Sequence, residues 1–248
     1  MRESAIEALG VSKTFAIPHE RRTTFKEYFL HPLRRSAEEE NRALADITFT
    51  VERGEFFGVI GPNGSGKSTL LKILAGIYRP DTGVVRLHGQ LSPFIELGVG
   101  FNVELTAREN VRINGTLLGL TRGQLREQFD DIFAFAELER FVDQKLKNFS
   151  SGMLVRLAYS IAIQVPFDVL LLDEVLAVGD QAFQEKCFAT FDRFRAEGKT
   201  IVFVSNDLDS VARFCDRALL LRAGRVEALG PTPEVIEEYV GAALEPTQ

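Results

Sequence analysis

Short apolar runs and amphipathic stretches mostly take turns along this chain. Residues 5–15, AIEALGVSKTF, alternate with period two and predict a strand. Residues 43–61, ALADITFTVERGEFFGVIG, predict two more, with a turn at Arg53-Gly54, and 83–91, GVVRLHGQL, predict another. The continuous apolar runs VLLLD (169–173) and TIVFVS (200–205) fit parallel strands covered on both faces. Residues 218–230 predict a closing hairpin around Ala223-Gly224. Helical periodicity fills 67–76, 106–118, 122–137, 151–164, 181–196, 207–214 and 233–241. The expectation is an α/β core with a mostly helical subdomain inserted at 92–165, and no internal repeat is evident.

One stretch does not fit a compact core. Residues 18–42, PHERRTTFKEYFLHPLRRSAEEENR, separate the first two predicted strands. Phe25, Tyr28, Phe29 and Leu33 fall on one helical face, flanked by Arg21, Arg22, Arg34 and Arg35. Two readings stand side by side: a surface helix packed on its own domain, or an amphipathic element lying at a membrane surface or against a partner.

Composition narrows the class. Of 248 residues, 45% are hydrophobic and 26% charged, enough for a full core in a soluble chain. The net charge of −6 argues against a nonspecific nucleic-acid binder, which needs a basic face. Cys187 and Cys215 have no metal-like spacing and are expected to be reduced, buried thiols. The opening MRESAIEALG lacks the apolar region of a signal peptide. No apolar run approaches the roughly 20 residues needed to cross a bilayer, so a membrane role is expected to come through a partner.

The chemistry begins at GPNGSGKST: Gly61, Pro62, Asn63, Gly64, Ser65, Gly66, Lys67, Ser68 and Thr69. The stretch matches G-x-x-x-x-G-K-[ST], follows an apolar strand and opens a helix, as a phosphate-binding loop requires. Its glycines let backbone N–H groups turn toward phosphate oxygens, and the helix N-terminus adds partial positive charge. Lys67 is expected to reach the terminal phosphates of a nucleotide and Ser68 to ligate Mg²⁺. In VLLLDEVLAVGD, Asp173 ends a hydrophobic strand and is expected in the Mg²⁺ shell, and Glu174 beside it to polarise an attacking water. A helix cap is the plainer role for that pair. These features alone leave GTPase, kinase, helicase and motor open. NFSSGMLVRLAYSIAI (148–163) adds a second anion-binding helix end, Ser-Ser-Gly with no base beside it.

With that third feature the chain resembles the ATP-binding cassette (ABC) ATPase family over nearly its whole length. The resemblance implies an α/β P-loop NTPase fold: one ABC-type nucleotide-binding domain over 1–248, with an antiparallel β subdomain and an inserted helical subdomain. FSSGM looks like the family's signature, placing Ser150, Ser151 and Gly152 at the terminal phosphate; Met153 stands where glutamine is more usual. A head-to-tail homodimer is implied, in which one chain's signature closes on ATP held by the other's phosphate loop. Asp180 in LAVGD then looks like the D-loop residue crossing that interface, and Phe15 in VSKTF like the aromatic that stacks on adenine. A core aromatic ending a strand is the alternative for Phe15.

Two departures matter. VSND (204–207) puts Asn206 where the family usually has histidine. Asparagine keeps a donor and an acceptor but loses reach and possible charge, so it is expected to support hydrolysis less well, with Glu174 still the catalytic carboxylate. Whether this asparagine is natural or was introduced to slow turnover is not written in the sequence. The family's Q-loop glutamine is also missing; Glu96 or Leu97 falls near its position, and Glu96 is a candidate at the metal or an ordinary surface glutamate.

FIELGVGFNVELTARENV (94–111), FSSGM, DEVLAVGD and the insertion after the first strand together resemble ATPases that export lipid-linked polysaccharides: O-antigen, capsule and teichoic acid. That implies two copies of a polytopic membrane permease as partner, lipid-linked glycan as cargo, ATP and Mg²⁺ as cofactors, and a peripheral position on the cytoplasmic face of the inner membrane. It also implies a short helix near the channel mouth for the 18–42 insertion. Some such relatives carry a further glycan-binding domain; this chain stops at Gln248, so either the transporter lacks one or the chain was shortened. Phe94, Phe101, Phe133 and Phe135 are expected either to help line an apolar docking groove for the permease or to be subdomain core. The ATPase of another transporter, for drugs or nutrients, is the alternative, and a soluble ABC ATPase of repair or translation a further one.

Overall fold

The computed structural model describes residues 3–18, 38–94, 100–173 and 181–244. Chain order is β1 (Ser4–Pro18), β2 (Glu38–Glu52), β3 (Phe56–Ile60), α1 (Lys67–Leu74), β4 (Thr82–Leu87) and β5 (Leu91–Phe94). Then come α2 (Ala107–Leu117), α3 (Arg122–Glu127), α4 (Phe129–Ala136), α5 (Ser151–Ala162), β6 (Val169–Asp173), α6 (Gln181–Ala196) and β7 (Thr200–Val204). The chain finishes through α7 (Leu208–Phe214), the hairpin β8 (Arg217–Arg222) and β9 (Arg225–Pro231), and α8 (Thr232–Leu244).

Two sheets form the core. β2-β1-β4 is antiparallel, and β5-β6-β7-β3-β8-β9 is parallel except for β9. Alternate residues of the central strands enter different apolar clusters, because side chains on a strand point to opposite faces in turn. Phe56, Ile60, Leu170, Leu172, Ile201 and Phe203 pack with Tyr159 of α5 and Phe183 and Phe191 of α6. Phe57, Val59, Leu171, Val202 and Leu219 pack with Leu70 and Leu71 of α1 and with Ile6, Ile47 and Phe49 of the antiparallel sheet. Every residue of β3 and β7 is therefore buried, as their uninterrupted apolar runs require. Phe203 and its neighbours sit at the centre, and the loops at the C-terminal strand ends are left to carry chemistry.

The third cluster belongs to the helical subdomain: Val111 of α2, Leu125 of α3, Ile132 and Phe133 of α4, and Leu157 and Ile161 of α5. α2 and α3 each begin in a capping box, Thr106 with Glu109 and Thr121 with Gln124. Three expectations need correction. The helix expected over 122–137 is two helices, broken at Gln128 (φ −95°, ψ −1°), which lets both Leu125 and Phe133 reach one core. Residues 92–94 are not part of the helical insertion but of β5; Pro93 hid the strand, and it is tolerated because β5 is the sheet edge. The first hairpin also reaches further into 18–42, with β1 running to Pro18 and β2 starting at Glu38. The amphipathic pattern at 24–33 lies outside the described residues.

Glu137 ends α4 in a left-handed conformation, φ 59°, and ties three helices together. Its carboxylate accepts from Arg156 Nη1 of α5 at 2.8 Å and Lys186 Nζ of α6 at 2.7 Å. The Lys186 ammonium, and after it the Arg156 guanidinium, hold that carboxyl below the usual glutamate range. Cys187 and Cys215 are free and buried, as expected; burial pushes the Cys187 thiol up to about 12 and raises Cys215 as well. Among the described residues, no helix is long and apolar enough to cross a membrane.

Candidate phosphate-binding site

The loop from Gly61 to Gly66 joins the buried strand β3 to α1 and is shaped by what lies behind it. Gly61 has φ 147°, and a Cβ there would stand 2.1 Å from the Leu221 carbonyl oxygen. Gly66 caps α1 at φ 107°, and a Cβ there would meet the Ala43 carbonyl oxygen at 2.6 Å. Only glycine fits either place, so the backbone curls tightly; Ser65 N–H closes the turn on the Pro62 carbonyl at 3.2 Å, and the curl suits an anion in front of it. Lys67 is buried, and its Nζ donates to the carbonyls of Gly61 at 2.7 Å and Pro62 at 3.1 Å, holding the ammonium inside the curl. The buried Ser65 hydroxyl has no hydrogen-bond partner among the described residues. Downstream segments brace the loop: Gly224 N donates to Ser65 O at 2.9 Å, and Ala45 N to Gly224 O at 2.7 Å.

In front of the loop lies a cleft of about 600 Å³. Asn63, Gly64, Gly66, Lys67, Ser68 and Thr69 line it from the loop, Asp173 from the end of β6, and Phe15 from β1. The Ser68 hydroxyl and the Asp173 carboxylate are hard oxygen donors on one cleft, which suits Mg²⁺ with its remaining positions on phosphate and water. Among the described residues no group of three or more acidic, histidine or cysteine side chains could hold a metal ion. The curl, the buried ammonium and this donor pair fit a nucleotide phosphate chain with Mg²⁺.

Asn206 follows β7 and reaches the same loop, its Nδ2 donating to Asn63 Oδ1 at 3.1 Å. Its neighbours fix it there. Ser205 is buried, with its N–H on the Val59 carbonyl at 3.3 Å, and Asp207 caps α7. Phe15 is half-buried with its ring edge-to-face on Tyr78, centroids 5.5 Å apart. Sequence reasoning missed Asn41 and Arg42, which also line the cleft because Asn41 is the cross-strand partner of Phe15 and Arg42 that of Thr14. Ala43, Ala223 and Gly224 line it too. Only the register of the β1–β2 hairpin would have found Asn41 and Arg42.

The signature residues stand elsewhere. Ser150 caps α5, its Oγ accepting from Met153 N at 3.2 Å, and Ser151 and Gly152 form the first turn. None of the three lines the phosphate cleft. Within one chain, the phosphate cleft and the start of α5 do not share a lining. Glu174, Asp180 and Glu96 lie outside the described residues. Of the phenylalanines expected in a docking groove, Phe94 and Phe133 are buried in core clusters, Phe94 edge-to-face on Tyr159, while Phe101 and Phe135 are only partly buried.

The ABC transporter family model matches residues 44–177. The chain is 41% identical over 240 residues to the O-antigen export system ATP-binding protein RfbB of Klebsiella pneumoniae, covering 96% of this chain and 98% of that one. It is 43% identical over 221 residues to the protein of the same name from Myxococcus xanthus, covering 88% of this chain but only 51% of that relative's length. A solved dimeric bacterial ABC transporter cassette superposes with a TM-score of 0.72 at 25% identity, covering 92% of this chain and 98% of that one.

Proposed function

This chain belongs to the ABC transporter family, and we propose from that premise that it is the ATP-hydrolysing subunit of a bacterial exporter of lipid-linked polysaccharide. O-antigen is the favoured cargo, with capsule or teichoic acid as related ones, because a relative matched along nearly its whole length is named for O-antigen export. The partner is a polytopic permease in two copies, and the chain sits peripherally on the cytoplasmic face of the inner membrane. All 248 residues serve as one ABC ATPase domain.

The observation that carries the mechanism is the separation of the half-sites: Lys67, Ser68 and Asp173 share a cleft that Ser150, Ser151 and Gly152 do not line. Two chains in head-to-tail register complete each site. ATP is then held between the phosphate loop of one copy and the signature helix end of the other, with Phe15 against adenine. Asp180 sits at the interface between copies. Mg²⁺, held by Ser68 and Asp173, supplies neutralisation of charge on the phosphates. Glu174 takes a proton from water as its oxygen bonds the terminal phosphorus; the bond to ADP breaks, leaving ADP and inorganic phosphate. Asn206 orients that water or the terminal phosphate through its amide. Loss of the phosphate bridge releases the dimer.

The test is ATP hydrolysis against protein concentration, with Glu174→Gln as control. Turnover should rise faster than linearly with concentration and vanish in the control. Linear turnover at all concentrations would overturn the composite site. For the cargo, deletion of the gene should make lipid-linked glycan accumulate inside the cell, and no accumulation would remove the polysaccharide assignment.

A further inference from the structure

The helical subdomain holds a second concavity, of about 460 Å³, between α2 and α3. Arg108 and Arg112 enter it from successive turns of α2, and Arg122 and Arg126 from successive turns of α3. Arg108 is committed. It makes a two-point pair with Asp143, at 2.7 and 3.3 Å, and lies over the Phe129 ring at 5.1 Å. Arg112, Arg122 and Arg126 are exposed and have no ion pair among the described residues. The acidic groups nearby offset them only in part. Asp130 is the one carboxylate in the lining, and Glu109, held by the Thr106 cap, also feels the charge of Arg112.

Three exposed guanidiniums outside any ion pair, around one hollow with a single carboxylate in its lining, concentrate positive charge in a chain of net charge −6. A solvated helix face would spread such charges or pair them. The floor is not polar: Leu125 is buried and Phe129 half-buried beneath the arginines. On α2, beside the hollow, Ile113 and Leu117 are exposed, at 41% and 71%. Arginine forks match phosphate oxygens in pairs, and the apolar floor and flank suit a ligand whose anion sits on a hydrocarbon body.

We propose that this cleft binds a phosphoryl group, supplied by an acidic phospholipid headgroup or by free phosphate. The site is separate from the nucleotide cleft and does not depend on the ATPase reading. The apolar surroundings favour the lipid source.

The test uses the full chain loaded with ADP and Mg²⁺, so that the phosphate loop is occupied. Binding is measured to vesicles of phosphatidylglycerol in phosphatidylcholine, to phosphatidylcholine alone, and to inorganic phosphate. Arg112→Gln/Arg126→Gln is the comparison; both side chains are exposed, and unchanged ADP affinity and Tm check the fold. Losing two charges near an acidic surface should weaken acidic-vesicle binding about thirtyfold. Loss on acidic vesicles with no phosphate binding by either protein supports the headgroup. Phosphate binding that the double variant loses supports the phosphoryl site with a soluble source. Vesicle binding equal in both proteins, with no phosphate binding, overturns the proposal and moves membrane attachment elsewhere. Loss of permease copurification, with neither vesicles nor phosphate bound, overturns it in favour of an acidic protein segment.

Discussion

Asn206→His should speed ATP turnover, and the geometry sets how much. The Asn206 amide already reaches the phosphate loop, on Asn63 at 3.1 Å, which on the proposed function places it beside the terminal phosphate. Histidine adds one bond between backbone and terminal nitrogen, extending the reach by roughly 1 Å. When protonated it offers a charge-assisted hydrogen bond to the terminal phosphate, worth about 1.5–3 kcal/mol where desolvated. Asn206 is exposed, so the low end applies, and about tenfold in turnover is expected. The lost amide bond to Asn63 is exposed and neutral, and offsets little. The assay is steady-state ATP turnover of the full chain across pH. The variant's advantage should grow as pH falls through the ordinary histidine value of about 6.5, while the parent, with no titrating group at 206, stays flat there. Equal turnover of variant and parent from about pH 6 to about pH 8 would refute the idea that this position limits hydrolysis.

Phe15→Ala should raise KM for ATP about tenfold with kcat nearly unchanged, because stacking on the base is lost while the phosphate chemistry is untouched; steady-state kinetics separate the two. Gly66→Ala forces a Cβ to 2.6 Å from a backbone oxygen at a positive φ, so ATP binding should fall at least tenfold and Tm by several degrees, at about 2–4 °C per kcal/mol. Glu137→Gln should lower Tm by about 1–2 °C at neutral pH, since the ion pairs are partly exposed and screened. The folded state binds the Glu137 proton more weakly than the unfolded chain. Its contribution is therefore full above the ordinary glutamate value of 4.5 and fades as pH falls through the lower folded value, where melting curves of variant and parent should converge.

The parts of the site readable from sequence are those where chemistry admits few residues. Gly61 and Gly66 touch backbone from other segments, and no side chain fits, so the loop announces itself. β3 and β7 were legible because burial on both faces leaves a plain apolar run. Asn41 and Arg42 were not, because their place in the cleft depends on which residue of β1 they oppose, and ordinary polar residues carry no mark of register. β5 was hidden by its shortness and by Pro93, and the break at Gln128 by a periodicity that continues across it. The basic hollow escaped for a related reason. Its arginines look like scattered surface charge until two helices bring their faces together.

The bracing of the phosphate loop has a consequence for synthesis. Ser65 is held by Gly224, which also holds Ala45. The hairpin tip that supplies Gly224 is translated long after the loop, and the strands flanking β3 in the sheet, β7 and β8, come just before it. As the chain leaves the ribosome, β3 therefore has no neighbour in its sheet, and its glycine-rich turn, though Ala43 is already made, lacks the Leu221 and Gly224 backbone that closes it from the other side. Long-range pairing of this kind delays folding and leaves apolar strands open in the interval. Nucleotide capture is then one of the last properties the growing chain acquires, and occupancy of the cleft reports that nearly the whole polypeptide has been made and joined.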